Sequence, residues 1–247
     1  MTLPNQTENQ AHMDREEQPA NSRHWCFAPL AERTAGPGLD RATLLRLAKW
    51  TPGDTITVSF LNGDPQLQQK VKDVALEWTA PGMANLTLEF RKDTTETDIR
   101  VAFIPGDGSW SYVGTTCKQI PHPDPTMNYG WLDESSTDEE IRPVVLHEFG
   151  HALGMVHEHQ NPEGCLKWNY NQVIQDLSGP PNNWPLGVII HNVFQAHAAA
   201  EANFTDVDPN SIMMYSLPAS WTLDGFSIPL NSQLSQMDKD FIREQYP

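Results

Sequence analysis

His147-Glu148-Phe149-Gly150-His151-Ala152-Leu153-Gly154-Met155-Val156-His157 is the stretch on which the fold turns. Residues four apart share one face of an α-helix, so His147 and His151 can present ring nitrogens to one ion at Zn–N distances of about 2.0–2.1 Å. Glu148 stands ~100° around the same helix. From there it can reach a water on the ion without displacing it, which suits a general base. Gly154 supplies a backbone free to become left-handed, so the helix can end there and the chain can bring His157 back as a third ligand. Three neutral nitrogens leave one tetrahedral position open, the pattern of a catalytic rather than a structural zinc site. A lone histidine is better explained as a surface or core residue. H-E-x-x-H with Gly154 and His157 in register is much more specific.

The helix carrying these residues is signalled upstream. Thr137 followed by Glu140 reads as a capping box, Asp138 and Glu139 complement the positive end of the helix dipole, and Pro143 falls early enough to be tolerated. Val144, Val145, Leu146, Phe149 and Leu153 put apolar bulk on most of the circumference, which predicts a buried helix.

H-E-x-x-H-x-x-G-x-x-H is the pattern of the metzincin metalloproteases, and Glu158 after the third histidine resembles the astacin branch. Other segments agree. Ser211-Ile212-Met213-Met214-Tyr215 is similar to the family's Met-turn, which would make Met213 the apolar floor beneath the metal. Tyr215 matches the tyrosine that in astacins approaches zinc as an extra ligand and swings away to stabilise the transition state. Gly108-Ser109-Trp110-Ser111-Tyr112-Val113-Gly114 resembles a segment beside the astacin cleft, and Leu234-Ser235-Gln236-Met237-Asp238, continuing to Ile242 and Tyr246, resembles the closing helix. The likeness runs from about Trp50 to the C-terminus. The sequence departs from the family at Ser109, where a cysteine is usual, and at His159-Gln160-Asn161-Pro162. The resemblance implies an α+β metzincin (zincin-like) catalytic domain: a twisted mixed five-stranded sheet, an active-site helix and a C-terminal helix.

Composition narrows the function classes. The 247 residues suit one catalytic domain plus an extension. A net charge of −16 argues against a nucleic-acid partner, which would call for a basic footprint. No apolar run approaches the ~20 residues needed to cross a bilayer. Met1 to Arg23 is polar and without an apolar core, unlike a secretory leader. The localisations left open are the cytoplasm, a leaderless export route, or removal of a leader ahead of this sequence. A monomer is expected. Cys26, Cys117 and Cys165 are an odd set; a Cys117–Cys165 bridge and two free buried thiols stay open as alternatives.

Along the chain, residues 1–23 read as a disordered polar tail. Residues 24–49 form a pro-segment or docking extension, comprising the apolar island His24-Trp25-Cys26-Phe27, a Gly-Pro linker and a short helix through Leu44, Leu45 and Leu47. Residues 50–157 would hold the N-terminal subdomain with the zinc helix, and 158–247 the C-terminal subdomain with the Met-turn. Thr55 to Leu61, Leu86 to Phe90 and Ile99 to Ile104 alternate as strands, and Pro65 to Trp78 carries a helical apolar stripe. Gly106 to Val113 is expected at or beside a sheet edge above the cleft, where an extended peptide can add as a further strand. After His157 the chain reads as loop-rich until a helical stretch near Val188 to Ala202. His122, His159, His191 and His197 read as surface or capping residues.

These features predict a zinc endopeptidase with one catalytic ion held by His147, His151 and His157, Glu148 as base, and Tyr215 donating to the oxyanion. The Cys26 thiolate is a candidate latency ligand, since soft sulfur binds zinc readily. A catalytically silent peptide-binding module on the same scaffold is the alternative. Another is a two-histidine site with a distant glutamate, as in thermolysin-like enzymes.

Overall fold

The computed structural model describes residues 48–160, 166–195 and 207–247. Five strands form one mixed sheet: β1 (Thr55–Phe60), β2 (Thr87–Phe90), β3 (Ile99–Ala102), β4 (Ser109–Ser111) and β5 (Met127–Tyr129). Their spatial order is β2-β1-β3-β5-β4. The first four in that order pair in parallel, with Thr55 opposite Thr87, Val58 opposite Ile99 and Val101 opposite Met127. β4 closes the sheet antiparallel to β5, Ser109 facing Tyr129. Parallel strands need long crossovers, and α1 (Pro65–Ala75) supplies the one between β1 and β2. Its N-cap Asp64 accepts amide protons from Gln66 and Leu67, and Leu67, Val71 and Ala75 make the buried stripe that the sequence predicts.

α2 (Asp138–Ala152) packs against α1 and β4. Its residues Pro143 through Ala152 are all buried, as expected of a helix apolar around its circumference. The main core joins Ile56, Val58, Val71, Trp78, Met127, Val145 and Phe149 between the sheet and these two helices. A second core gathers Trp168, Val173, Leu177, Ile189 and Trp221, with α3 (Tyr170–Ser178) supplying Val173 and Leu177. The Met-turn lies between them: Ile212 and Met213 belong to the first core, Met214 and Tyr215 to the second. α4 (Gln236–Gln245) closes the fold behind α2 with Ile242 and Tyr246 buried.

Three elements differ from expectation. β5 is too short for a period-two signal. α3 stands where a loop is read, because only Val173 and Leu177 mark its apolar face. The expected helix near Val188 is a short one, Leu186–Ile189, continued by a wider turn through Phe194. Its remainder, the segments 1–23 and 24–47, Cys26, Cys165 and His197 lie outside the described residues. No helix among the described residues is long and apolar enough to cross a membrane.

Candidate metal centre

The centre is built by how α2 begins and ends. At its start Glu140 N–H donates to Thr137 Oγ1 at 3.3 Å while Thr137 N–H donates to Glu140 Oε2 at 2.8 Å, closing the predicted capping box. At its end Gly154 adopts φ +95°, the left-handed conformation that glycine takes without penalty. The Gly154 amide then donates to the His151 carbonyl (2.8 Å) and the Met155 amide to the Gly150 carbonyl (2.9 Å), a Schellman closure. Two further terminal carbonyls are satisfied from far away in sequence. Trp50 Nε1–H donates to Ala152 O at 2.8 Å and Tyr246 O–H to Leu153 O at 2.6 Å. The chain therefore reverses on a rigid corner and returns His157 toward His147 and His151.

The three imidazoles converge. One ring nitrogen from each lies within 4.8 Å of the others, and all three residues are buried. His151 Nε2 and His157 Nε2 are 3.1 Å apart. Two nitrogen ligands on a tetrahedral zinc stand about 3.4 Å apart, so the donors are close to bonding positions before any ion is considered. Two ring nitrogens this close need a proton or a cation between them. The opposite ring nitrogens are oriented by the backbone: His147 Nδ1–H donates to Ile212 O at 2.7 Å and His151 Nδ1–H to Met155 O at 2.9 Å. Those bonds fix the tautomer that turns each Nε2 lone pair inward. Burial pushes the His147 imidazole down to about 4, so it stays neutral and able to ligate near pH 7. Neutral nitrogen donors of this number fit zinc, the ion the pattern implies.

Around the donors sit the other predicted residues. Glu148 is fully buried and lines one cavity together with His147 and Tyr215. The Tyr215 ring lies 4.4 Å from that of His157. Met213 is fully buried beneath α2, its Sδ so close to Gly150 that a Cβ there would sit 2.4 Å away. His147, Glu148, His151, His157, Met213 and Tyr215 thus come together in one place.

Several residues support the site through long-range contacts that local spacing does not signal. Asp238, in the first turn of α4, accepts from Ser211 Oγ (2.7 Å) and the Ile212 amide (2.8 Å), tying down the turn whose Ile212 carbonyl orients His147. Burial raises the Asp238 carboxyl above its usual range despite these bonds. Glu158 accepts the Asp208 amide at 3.2 Å, while its own amide donates to Met213 O. His159, expected as a surface or capping residue, does not lie on the surface. It is buried, stacked on Tyr215 with ring centroids 4.2 Å apart, and bonded through Nε2 to the Asn192 carbonyl at 2.9 Å. His122, by contrast, is exposed and pairs with Thr95 O. Cys117 is a free buried thiol, so it makes no bridge to Cys165.

Known proteins resemble this chain in sequence and in fold. The model of the astacin peptidase family matches residues 46–177. The zinc metalloproteinase nas-38 of Caenorhabditis elegans is 27% identical over 172 residues, covering 68% of this chain and 20% of that protein. The chain thus spans about a fifth of that relative's length. The structure of myroilysin is 42% identical with a TM-score of 0.78, covering 82% of this chain and 97% of that one. High choriolytic enzyme 1, a hatching-enzyme zinc protease from Oryzias latipes, shares the fold at TM-score 0.51 and 16% identity, over 79% and 92% of the two chains. With more than half of its residues matched by the family's pattern and its three histidines converging beside a buried glutamate, the chain belongs to the astacin family.

Proposed function

We propose that the chain is a zinc-dependent endopeptidase, hydrolysing peptide bonds in polypeptides bound in extended form, with Glu148 as general base. The convergence of His147, His151 and His157 beside the fully buried Glu148 carries this reading. Relatives named as zinc metalloproteinases support it. A zinc ion on the imidazoles would lower the pKa of a bound water from ~15.7 towards ~7 and polarise the scissile carbonyl. Glu148 takes the proton from the attacking water and returns it to the leaving amine. Tyr215 donates its phenolic hydrogen to the oxyanion as charge develops there. His147 and His151 hold their tautomers through the Ile212 and Met155 carbonyls, so the donors need no reorganisation during the reaction. The substrate backbone pairs with β4, which is at the sheet edge, leaving its side chains to alternate between the cleft and solvent. The acidic surface disfavours nucleic acid as a partner.

The test separates metal binding from chemistry. Glu148→Gln in the zinc-loaded protein should keep its zinc content while chelator-sensitive cleavage of an unstructured protein falls by about 10²–10⁴. Cleavage at the wild-type rate would remove Glu148 from the mechanism. A wild type that binds zinc but cleaves nothing would be the silent module instead.

A further inference from the structure

His159 is a buried polar residue that neither the ligand set nor the base explains. It is 6% exposed, and its ring packs on three others. The Tyr215 ring lies nearest, with centroids 4.2 Å apart and planes 28° from parallel. The third candidate ligand, His157, stacks on it at 5.1 Å and 27°, and Trp168 meets it edge-on at 6.1 Å. Tyr215 and His157 also touch each other, but at 4.4 Å and a tilt of 55°. His147 is nearly parallel to Tyr215 and stands farther off, at 6.2 Å. The close, flat contact that sets the plane of the Tyr215 phenol is therefore the one with His159.

The plane of His159 is itself fixed from outside the centre. A carbonyl only accepts, so His159 Nε2 carries the proton and donates it to Asn192 O at 2.9 Å. Asn192 is in the wide turn Ile190–Phe194 that continues the helix Leu186–Ile189. Such π-type turns are rare and occur frequently at functional sites. Gln160 pins the same turn, its amide donating to His191 O at 2.7 Å and Gln195 O at 2.9 Å. The other His159 ring nitrogen, Nδ1, is buried with no hydrogen-bond partner among the described residues. A buried acceptor without a donor destabilises the fold, and an apolar ring of similar shape would stack without that penalty. What histidine adds at 159 is one directional bond, which stops the ring from turning.

We propose that His159 is a positioning residue: through its bond to the turn it holds the Tyr215 phenol beside His157, where that phenol meets the oxyanion. The inference rests on the hydrolytic function proposed above. Donors to an oxyanion act over about 2.7–3.1 Å, so a small displacement of the hydroxyl matters. A misplacement of about 1 Å costs about a hundredfold in rate. The loss falls on the transition state, because the oxyanion forms only there and ground-state binding is left alone.

The experiment is a double-mutant cycle on the zinc-loaded full chain, with zinc content and melting temperature recorded for every variant. Tyr215→Phe, which removes the donor and keeps the ring, should lower kcat by about 10²–10³. His159→Ala should lower kcat by about 10–100-fold with KM within about twofold of wild type. In the Tyr215→Phe background the same change should cost no more than about threefold, because no hydroxyl is left to misplace. His159→Phe keeps the flat face and fills the site; it should lose less than His159→Ala, and it replaces the alanine variant in the cycle if that one does not fold. Equal losses in both backgrounds, or a loss carried by KM, overturn the proposal and spare the hydrolase. If the wild type cleaves nothing, the same cycle is read by binding of a phosphinic peptide, whose tetrahedral oxygens stand in for the oxyanion. Losses confined to the background that retains Tyr215 sustain the positioning role, whereas equal losses, or no binding, overturn it.

Discussion

Gly150 is the position in the histidine motif where packing, rather than ligation, sets the choice of residue. Replacing an interior helical glycine with alanine ordinarily stabilises by about 1 kcal/mol. Here the added Cβ would stand 2.4 Å from Met213 Sδ and 3.3 Å from the Trp78 ring, both fully buried side chains. Overpacking of that kind costs about 1–3 kcal/mol and prevails over the propensity gain. Gly150→Ala should therefore lower the melting temperature and weaken zinc binding together, since the displaced Met213 adjoins Ile212, whose carbonyl orients His147. A variant melting higher than wild type would show that α2 and the Met-turn are not in contact as described. Gly150 is not legible as a packing residue in the sequence because its neighbour Met213 lies far along the chain. The candidate ligands are legible for the opposite reason: helix geometry places His147 and His151 on one face and Gly154 ends the helix, so their grouping is written in local spacing. His159 reads as a surface or capping residue because its burial comes with Tyr215 stacking on it, a tertiary contact.

Asp238 joins two elements that the sequence presents separately. Ser235 and Asp238 close a capping box at the start of α4, and the same carboxylate receives Ser211 Oγ and the Ile212 amide from the Met-turn. A chain of polar contacts thus runs from α4 through Ile212 to the His147 ring. Asp238→Ala should remove the cap and leave buried donors unsatisfied, a loss of about 1–3 kcal/mol. Because Ile212 orients a candidate ligand, zinc affinity should fall about 10–100-fold as well. Denaturant unfolding and zinc titration of the variant check both; lost stability with unchanged zinc affinity would sever the link. The box itself has a visible signature in Ser235-x-x-Asp238, but its reach to the Met-turn does not. Long elements with regular apolar spacing, β1, α1 and α2, are readable in the sequence. β5 and α3 are not, because one has three residues and the other owes its place to the Asp176–Trp221 contact and the second core.

The whole molecule has two apolar cores that meet at the Met-turn, and buried groups that hold their protons, Cys117 first among them, make its stability depend on pH. Burial pushes the Cys117 thiol up to about 12 from its ordinary 9.0. Above pH 9 the unfolded chain loses that proton while the folded chain keeps it, so the unfolded state binds fewer protons and stability falls as pH rises toward 12. The fall is at most about 1.4 kcal/mol per pH unit for this group. Tyr246, raised to about 12 from 10.0, adds to it at the upper end. Cys117→Val should flatten the decline between pH 9 and 10 in denaturant midpoints; identical slopes for variant and wild type would show that the thiol is solvated. Above all, the fold brings three imidazoles together where they could hold one ion. The most direct measurement is a crystal structure of the zinc-loaded protein. The prediction is a single ion bound by Nε2 of His147, His151 and His157 at about 2.0–2.1 Å, with Glu148 outside the ligand set. No ion there, or an ion held without His157, would contradict it.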